Sequence, residues 1–233
     1  MSRAVCLVLF ALAGSASVAL ADTLTTTSNL DNTMYEDLTG SISNGQGPYL
    51  YAGKTSRGQL RRGLIAFDVS SIPAGSVVTG VSLTLFTDLA SGTSTVQNLH
   101  RTLATWGEGQ SNAGNPGGAG DVARTNDATW LHRFYDTQSW VTAGGDFAPV
   151  ASASKSVAAT GPVTWSGGGL IADVQGWING STNAGWTILG AENSNGSAIR
   201  YYTRENADST NRPRLVITYT PAPAPAGAAL LGA

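Results

Sequence analysis

Six acidic residues, Glu36, Asp37, Glu108, Asp146, Glu192 and Glu205, are the first side chains in this 233-residue sequence that could do chemistry. Two carboxylates held about 5 to 10 Å apart in a cleft cleave glycosidic bonds, one as acid and the other as base or nucleophile. Their spacing selects no pair, and plainer roles suit the acids: Asp68 hydrogen-bonds into the Ser-Ser turn that follows it, and Asp146 closes the turn at Gly144-Gly145. Nucleophilic catalysis has little material. His100 and His132 are the only histidines, Cys6 is the only cysteine, and neither G-x-S-x-G nor H-E-x-x-H occurs. Both histidines read as ordinary hydrogen-bonded side chains. The expectation is a chain that is not an enzyme and needs no cofactor.

Tryptophan offers a different chemistry, since a flat ring packs on the C–H face of a pyranose while Arg and Asn take its hydroxyls. Trp177 lies on an apolar helix face and Trp186 in a strand, so both are expected in the core. Trp106, Trp130, Trp140 and Trp165 stand beside glycine-rich or polar loops and are open to binding. Trp130, His132, Arg133 and Trp140 form the candidate carbohydrate site, because the glycine-rich stretch 107–120 would leave that segment exposed. Gly117-Gly-Ala-Gly-Asp121 resembles one unit of a calcium-binding glycine repeat, but a single copy supplies too few ligands. No metal ligand is assigned there, and a structural calcium stays open. Asn179-Gly-Ser181 and Asn195-Gly-Ser197 fit the glycosylation pattern yet read better as Asn-Gly turns.

The elements that must position these residues are short. Twenty-nine glycines exceed the usual share of about 7%, and only 12% of residues are charged, which disfavours coiled coils and long helical bundles. Strands are expected at 33–36, 48–52, 60–69, 77–87, 95–101, 147–157, 162–165, 185–189, 199–203 and 214–220, each bounded by turn residues. Leu170, Ile171, Val174, Trp177 and Ile178 fall at helical spacing, which predicts one short helix near 169–179 ended by Asn179-Gly180. In 63–68, Ile65 and Phe67 share one strand face, while Leu64, Ala66 and Asp68 share the other. The pattern is all-β: a single antiparallel β-sandwich domain over 22–220.

Residues 1–21 read as a secretion signal, with Arg3, the apolar run Val5 to Leu12, and Ala19-Leu20-Ala21 before Asp22. The rest has no cysteine, so it would rely on its core and not on disulfides in an oxidising compartment. A formal charge of −2 with no basic stripe argues against nucleic acid. The Pro/Ala-rich tail 221–233 is too short to cross a membrane, so no stable membrane span is expected in this chain.

With these residues in place, the sequence resembles the DNRLRE-domain family of secreted bacterial and archaeal proteins, some classed as carbohydrate-binding modules. The resemblance spans nearly all of 22–220. It rests on Arg62-Gly-Leu-Ile-Ala-Phe-Asp-Val-Ser-Ser-Ile-Pro-Ala-Gly75, Trp106-Gly-Glu108, Asp127-Ala-Thr-Trp130 running to Trp140, and Gly144-Gly-Asp-Phe147. It continues through Leu170-Ile-Ala-Asp-Val-Gln-Gly-Trp177, Asn183-Ala-Gly-Trp186, Arg204-Glu205 and Arg212-Pro-Arg-Leu-Val-Ile-Thr-Tyr219. The resemblance implies a jelly-roll-like sandwich. The tail resembles the start of a PEP-CTERM sorting signal, although Pro221-Ala-Pro-Ala-Pro225 lacks the acidic residue and no basic tail follows. The resulting expectation is a secreted, extracellular or cell-surface, non-catalytic module that binds extracellular polysaccharide. The alternative is a structural cell-surface or biofilm-matrix protein without specific glycan binding.

Overall fold

The computed structural model describes residues 20–222; the expected secretion signal, save its last two residues, and the tail beyond Ala222 lie outside them. Strands β1 (Asp22–Thr27), β2 (Leu30–Tyr35), β3 (Ile42–Ser43), β4 (Tyr49–Lys54) and β5 (Leu60–Ala66) come first. They are followed by β6 (Val77–Leu89), β7 (Thr95–Arg101), β8 (Asp121–Val122), β9 (His132–Phe134) and β10 (Gln138–Ser139). After β11 (Ala153–Val157) and β12 (Gly161–Ser166) comes the helix α1 (Gly168–Ile178), then β13 (Trp186–Leu189), β14 (Ile199–Tyr202) and β15 (Arg214–Thr220).

One curled antiparallel sheet supplies both layers of the sandwich. The first layer runs β1-β15-β6-β14-β4 with β12 also on β6, and the second runs β4-β5-β13-β7-β11 with β2 also on β5. Strand β4 belongs to both, because Tyr49–Ala52 pair with β14 and Gly53 and Lys54 pair with Arg61 and Leu60. Gly53 makes that change of partner possible. Its φ is +125°, and a Cβ there would meet the Ala198 Cα at 2.8 Å. The expected all-β antiparallel sandwich is therefore the observed architecture, and the expected helix is α1, whose C-cap Asn179 donates its N–H to the Gln175 carbonyl.

Alternation of apolar residues builds the core between the layers. Leu83, Leu85, Leu215, Ile217 and Tyr201 point in from the first layer, and Ile65, Phe67, Leu99 and Ile188 from the second. Helix α1 closes the core with Leu170, Val174 and Trp177, whose ring centre lies 4.7 Å from that of Trp186. A second core sits on the outer face of the second layer. There Met34, Leu64 and Ala66 meet Trp106, Ala128, Trp130, Trp140 and Ala184, several of them from the long segment 103–147 that caps this face. Both faces of β5 are thus buried, which accounts for its unbroken run Leu64-Ile-Ala-Phe67. In the stretch 147–157 only Ala153–Val157 pairs as a strand, while Phe147 makes one bridge to Thr102.

The cap is part of the folding unit, so removing its anchor must be felt globally. Trp106 is 4% exposed, and its Nε1 donates to the Ala184 carbonyl at 2.9 Å. Trp106→Ala is expected to cost about 3 to 5 kcal/mol, read as a lower urea midpoint at unchanged slope. A loss under about 1 kcal/mol would mean that the cap is dispensable to the fold.

Candidate functional site

The structure corrects the expected tryptophan platform. All six tryptophans are buried, with Trp130 at 9% and Trp140 at 6% exposure. The cap folds these rings under itself: Arg62 stacks on the Trp130 ring at 4.8 Å, and Trp140 donates its Nε1 to the Thr129 carbonyl at 3.0 Å. Glycine-rich neighbours signal close packing here, because a Cβ on Gly144 would strike the Trp130 ring at 2.8 Å. His132 is half-buried, its Nδ1 3.2 Å from Thr129 Oγ1 and its ring edge-on to Tyr135. Arg133 donates to the Thr105 carbonyl and lies over the Phe134 ring, 5.6 Å from its centre. None of the four expected residues lines the groove described next, which Arg133 meets only through the Phe134 ring.

That groove, about 390 Å³, opens between the Trp106-Gly-Glu-Gly109 turn, the 125–126 turn and Phe134. Gln46, Gln110, Thr125 and Asn126 line it and are all exposed, while Phe134 is half-buried. Two glycines allow the turns to approach so closely. A Cβ on Gly107 would lie 2.1 Å from the Asn126 carbonyl oxygen, and one on Gly109 would lie 1.8 Å from Asp127 Oδ1. Asn126 itself holds a left-handed backbone at φ +69°. Strand β9 presents Phe134 through pairing with β10 and through Gly107, whose N–H donates to the Arg133 carbonyl at 2.9 Å.

Below the groove lies a polar knot. Glu108 Oε1 accepts from the Asp31 backbone N–H at 2.9 Å and from Arg204 Nε at 2.7 Å, and Oε2 pairs with the second arm of the same guanidinium. Arg204 also meets Glu205 Oε1 at 3.1 Å. Asp31 is fully buried and takes Ser28 Oγ and the Arg204 N–H on Oδ2. Burial first, then the neighbouring Glu205 and Glu108 charges, holds the Asp31 carboxyl well above the usual carboxylate range. Burial also raises Glu205, and the Glu108 hydrogen bond raises Arg204 further. Among the described residues, no cluster of three or more His, Cys, Asp or Glu is arranged to hold a metal. The Gly117–Asp121 loop is closed by its own chain, since Asp121 accepts from the N–H groups of Asn112 and Val122.

The other acids singled out in the sequence also have local partners. Glu36 accepts from the Leu60 N–H, Asp37 from Ser41, Asp146 from Val141 and Thr142, and Glu192 pairs with Arg62. Asp68 accepts from Ser70 as expected. Phe134, Gln46, Gln110 and Asn126 had no periodic signal of their own; Glu108 and Arg204-Glu205 stood in motifs, but nothing in the sequence showed that they meet. The sequence matches no protein-family model and no characterised protein.

The knot fixes how stability depends on pH. Between the unfolded carboxylate value of about 4 and the raised folded values of Asp31, Asp127 and Glu205, the native chain holds more protons than the unfolded one. Stability contributed by these groups is present below that window and is lost as pH rises through it. Asp37, Asp68, Asp121 and Asp208 shift downward and act in the opposite sense, but solvent weakens them. The urea midpoint is expected to fall from about pH 4 towards neutrality, and Asp31→Asn to flatten the fall. A midpoint that rises across the same range would contradict this arrangement.

Proposed function

We propose that this chain is a non-catalytic extracellular carbohydrate-binding module that takes a hydroxyl-rich polysaccharide strand in the Phe134 groove. One observation carries the reading: a half-buried aromatic ring stands beside exposed amide side chains, Gln46, Gln110 and Asn126, over a base locked by the Glu108–Arg204 pair. Phe134 offers an apolar face to the C–H side of a sugar ring. An amide both donates and accepts, so each of the three can meet a hydroxyl in either role.

Rigidity favours binding, because little order remains to be imposed when the ligand arrives. Gly107 and Gly109 pin the turn, and the Glu108 carboxylate takes three hydrogen bonds, one from Asp31 and two from Arg204. The non-catalytic part of the reading is supported by the acids already engaged with backbone amides or arginines. The extracellular part rests on the secretion-signal pattern.

The test is retention of residues 22–220 on neutral and uronic polysaccharides, with the medium assayed for new reducing or unsaturated ends. Retention without cleavage is expected, and Phe134→Ala should weaken it by about 2 kcal/mol, roughly thirtyfold. Unchanged retention in that variant would remove the groove from the site, and retention of the parent on no glycan would favour the structural matrix role. New ends in the medium would make the chain an enzyme.

A further inference from the structure

Three residues beyond Gln46, β4 begins with Tyr49, and two residues before Arg204, β14 ends with Tyr202. The two tyrosines are register partners. Leu50, Ala52, Ile199 and Tyr201 point into the core between the layers, so strand alternation turns Tyr49 and Tyr202 outward. Their ring centres are 5.5 Å apart, the planes tilt by 31°, and both residues are half-buried.

Charged neighbours fix this pair in place. The Arg200 guanidinium lies 4.2 Å from the centre of the Tyr49 ring and pairs with Asp88, which accepts the Tyr202 hydroxyl at 2.6 Å. Arg200 and Asp88 neutralise each other, so the platform joins two aromatic rings to a hydrogen-bonding pair without net charge. At most about 3.6 Å per residue, Tyr49 lies within about 11 Å of Gln46 along the chain, and Tyr202 within about 7 Å of Arg204. These path lengths place the backbones of both tyrosines near Gln46, which lines the groove, and Arg204, which braces its base.

We propose that Tyr49 and Tyr202 form a second aromatic subsite continuous with the Phe134 groove, and that the ligand is a linear, uncharged polysaccharide spanning both. This inference rests on the reading of the groove as a glycan site and extends it. Two aromatic stations suit an oligosaccharide of several sugars, each ring taking the C–H face of a different sugar. The absence of net charge at the tyrosines predicts binding that is insensitive to salt.

The wild-type protein with labelled Phe and Tyr rings is titrated with cello-, manno- and xylo-oligosaccharides of increasing length and with oligoguluronate, and the ring resonances are followed. At least one neutral series is expected to shift Phe134 at short length and Phe134, Tyr49 and Tyr202 together at greater length. Affinity should rise with length, and Tyr49→Ala with Tyr202→Ala should remove about tenfold for the long ligands alone. Tyr202→Phe serves as the folded control that keeps the ring. Shifts at Phe134 without the tyrosines at any length would overturn the second subsite and leave the groove standing. Shifts at the tyrosines without Phe134, or at neither, would overturn both. Tighter, salt-dependent binding of oligoguluronate would overturn the uncharged class.

Discussion

The carboxylate of Glu108 joins parts of the chain that are far apart in sequence. It accepts from the Asp31 amide of β2 and from Arg204 just beyond β14, while its own backbone carbonyl accepts from Asn32 Nδ2. A buried ion pair is a poor source of net stability, because desolvation offsets much of the attraction. Here it acts as a locator. With Glu205 meeting the same guanidinium and Asp31 accepting the Arg204 backbone N–H, the turn that carries Glu108 is fixed against both layers.

From that point outward, the structure follows from covering both faces of one strand. The inner face of β5 belongs to the sandwich core and its outer face to the cap, so the cap must bring its own apolar side chains. Trp106, Trp130 and Trp140 meet that need and leave the surface as a consequence. Phe134, Tyr49 and Tyr202 stay only half-buried, smaller rings held by their neighbours' charges and backbone. Support and contact are thereby divided between two sets of aromatics.

Much of this fold is legible in the sequence, and the reasons for the failures are physical. Strand β15 follows apolar alternation to its observed limits, β7 spans the expected 95–101 although it buries Gln97 beside Leu99 and exposes Val96, and α1 begins and ends within one residue of the expected 169–179. Strand β1 has mainly threonines and carries little alternation, and β3, β8, β9 and β10 are two or three residues long and exist through distant pairing. Trp177 and Trp186 are buried as expected, whereas Trp106, Trp130, Trp140 and Trp165 are buried against expectation, because a glycine beside an aromatic can mark close packing: Gly144 lets the chain pass over Trp130. A usable signal for the tyrosines did exist. Tyr49 and Tyr202 sit out of phase with Leu50 and Tyr201, which turns them away from the core, although Tyr51 in the same phase is covered by the loop that carries Pro116.

The central claim is that the end of the sandwich bearing Phe134 is the glycan surface, and hydroxyl-radical footprinting of the parent protein with and without a retained neutral polysaccharide tests it most directly. Protection is predicted at Phe134, Tyr49 and Tyr202, with Val141, 95% exposed on another part of the cap, labelled equally in both states. Protection at Val141 with unchanged labelling of Phe134 would contradict the account.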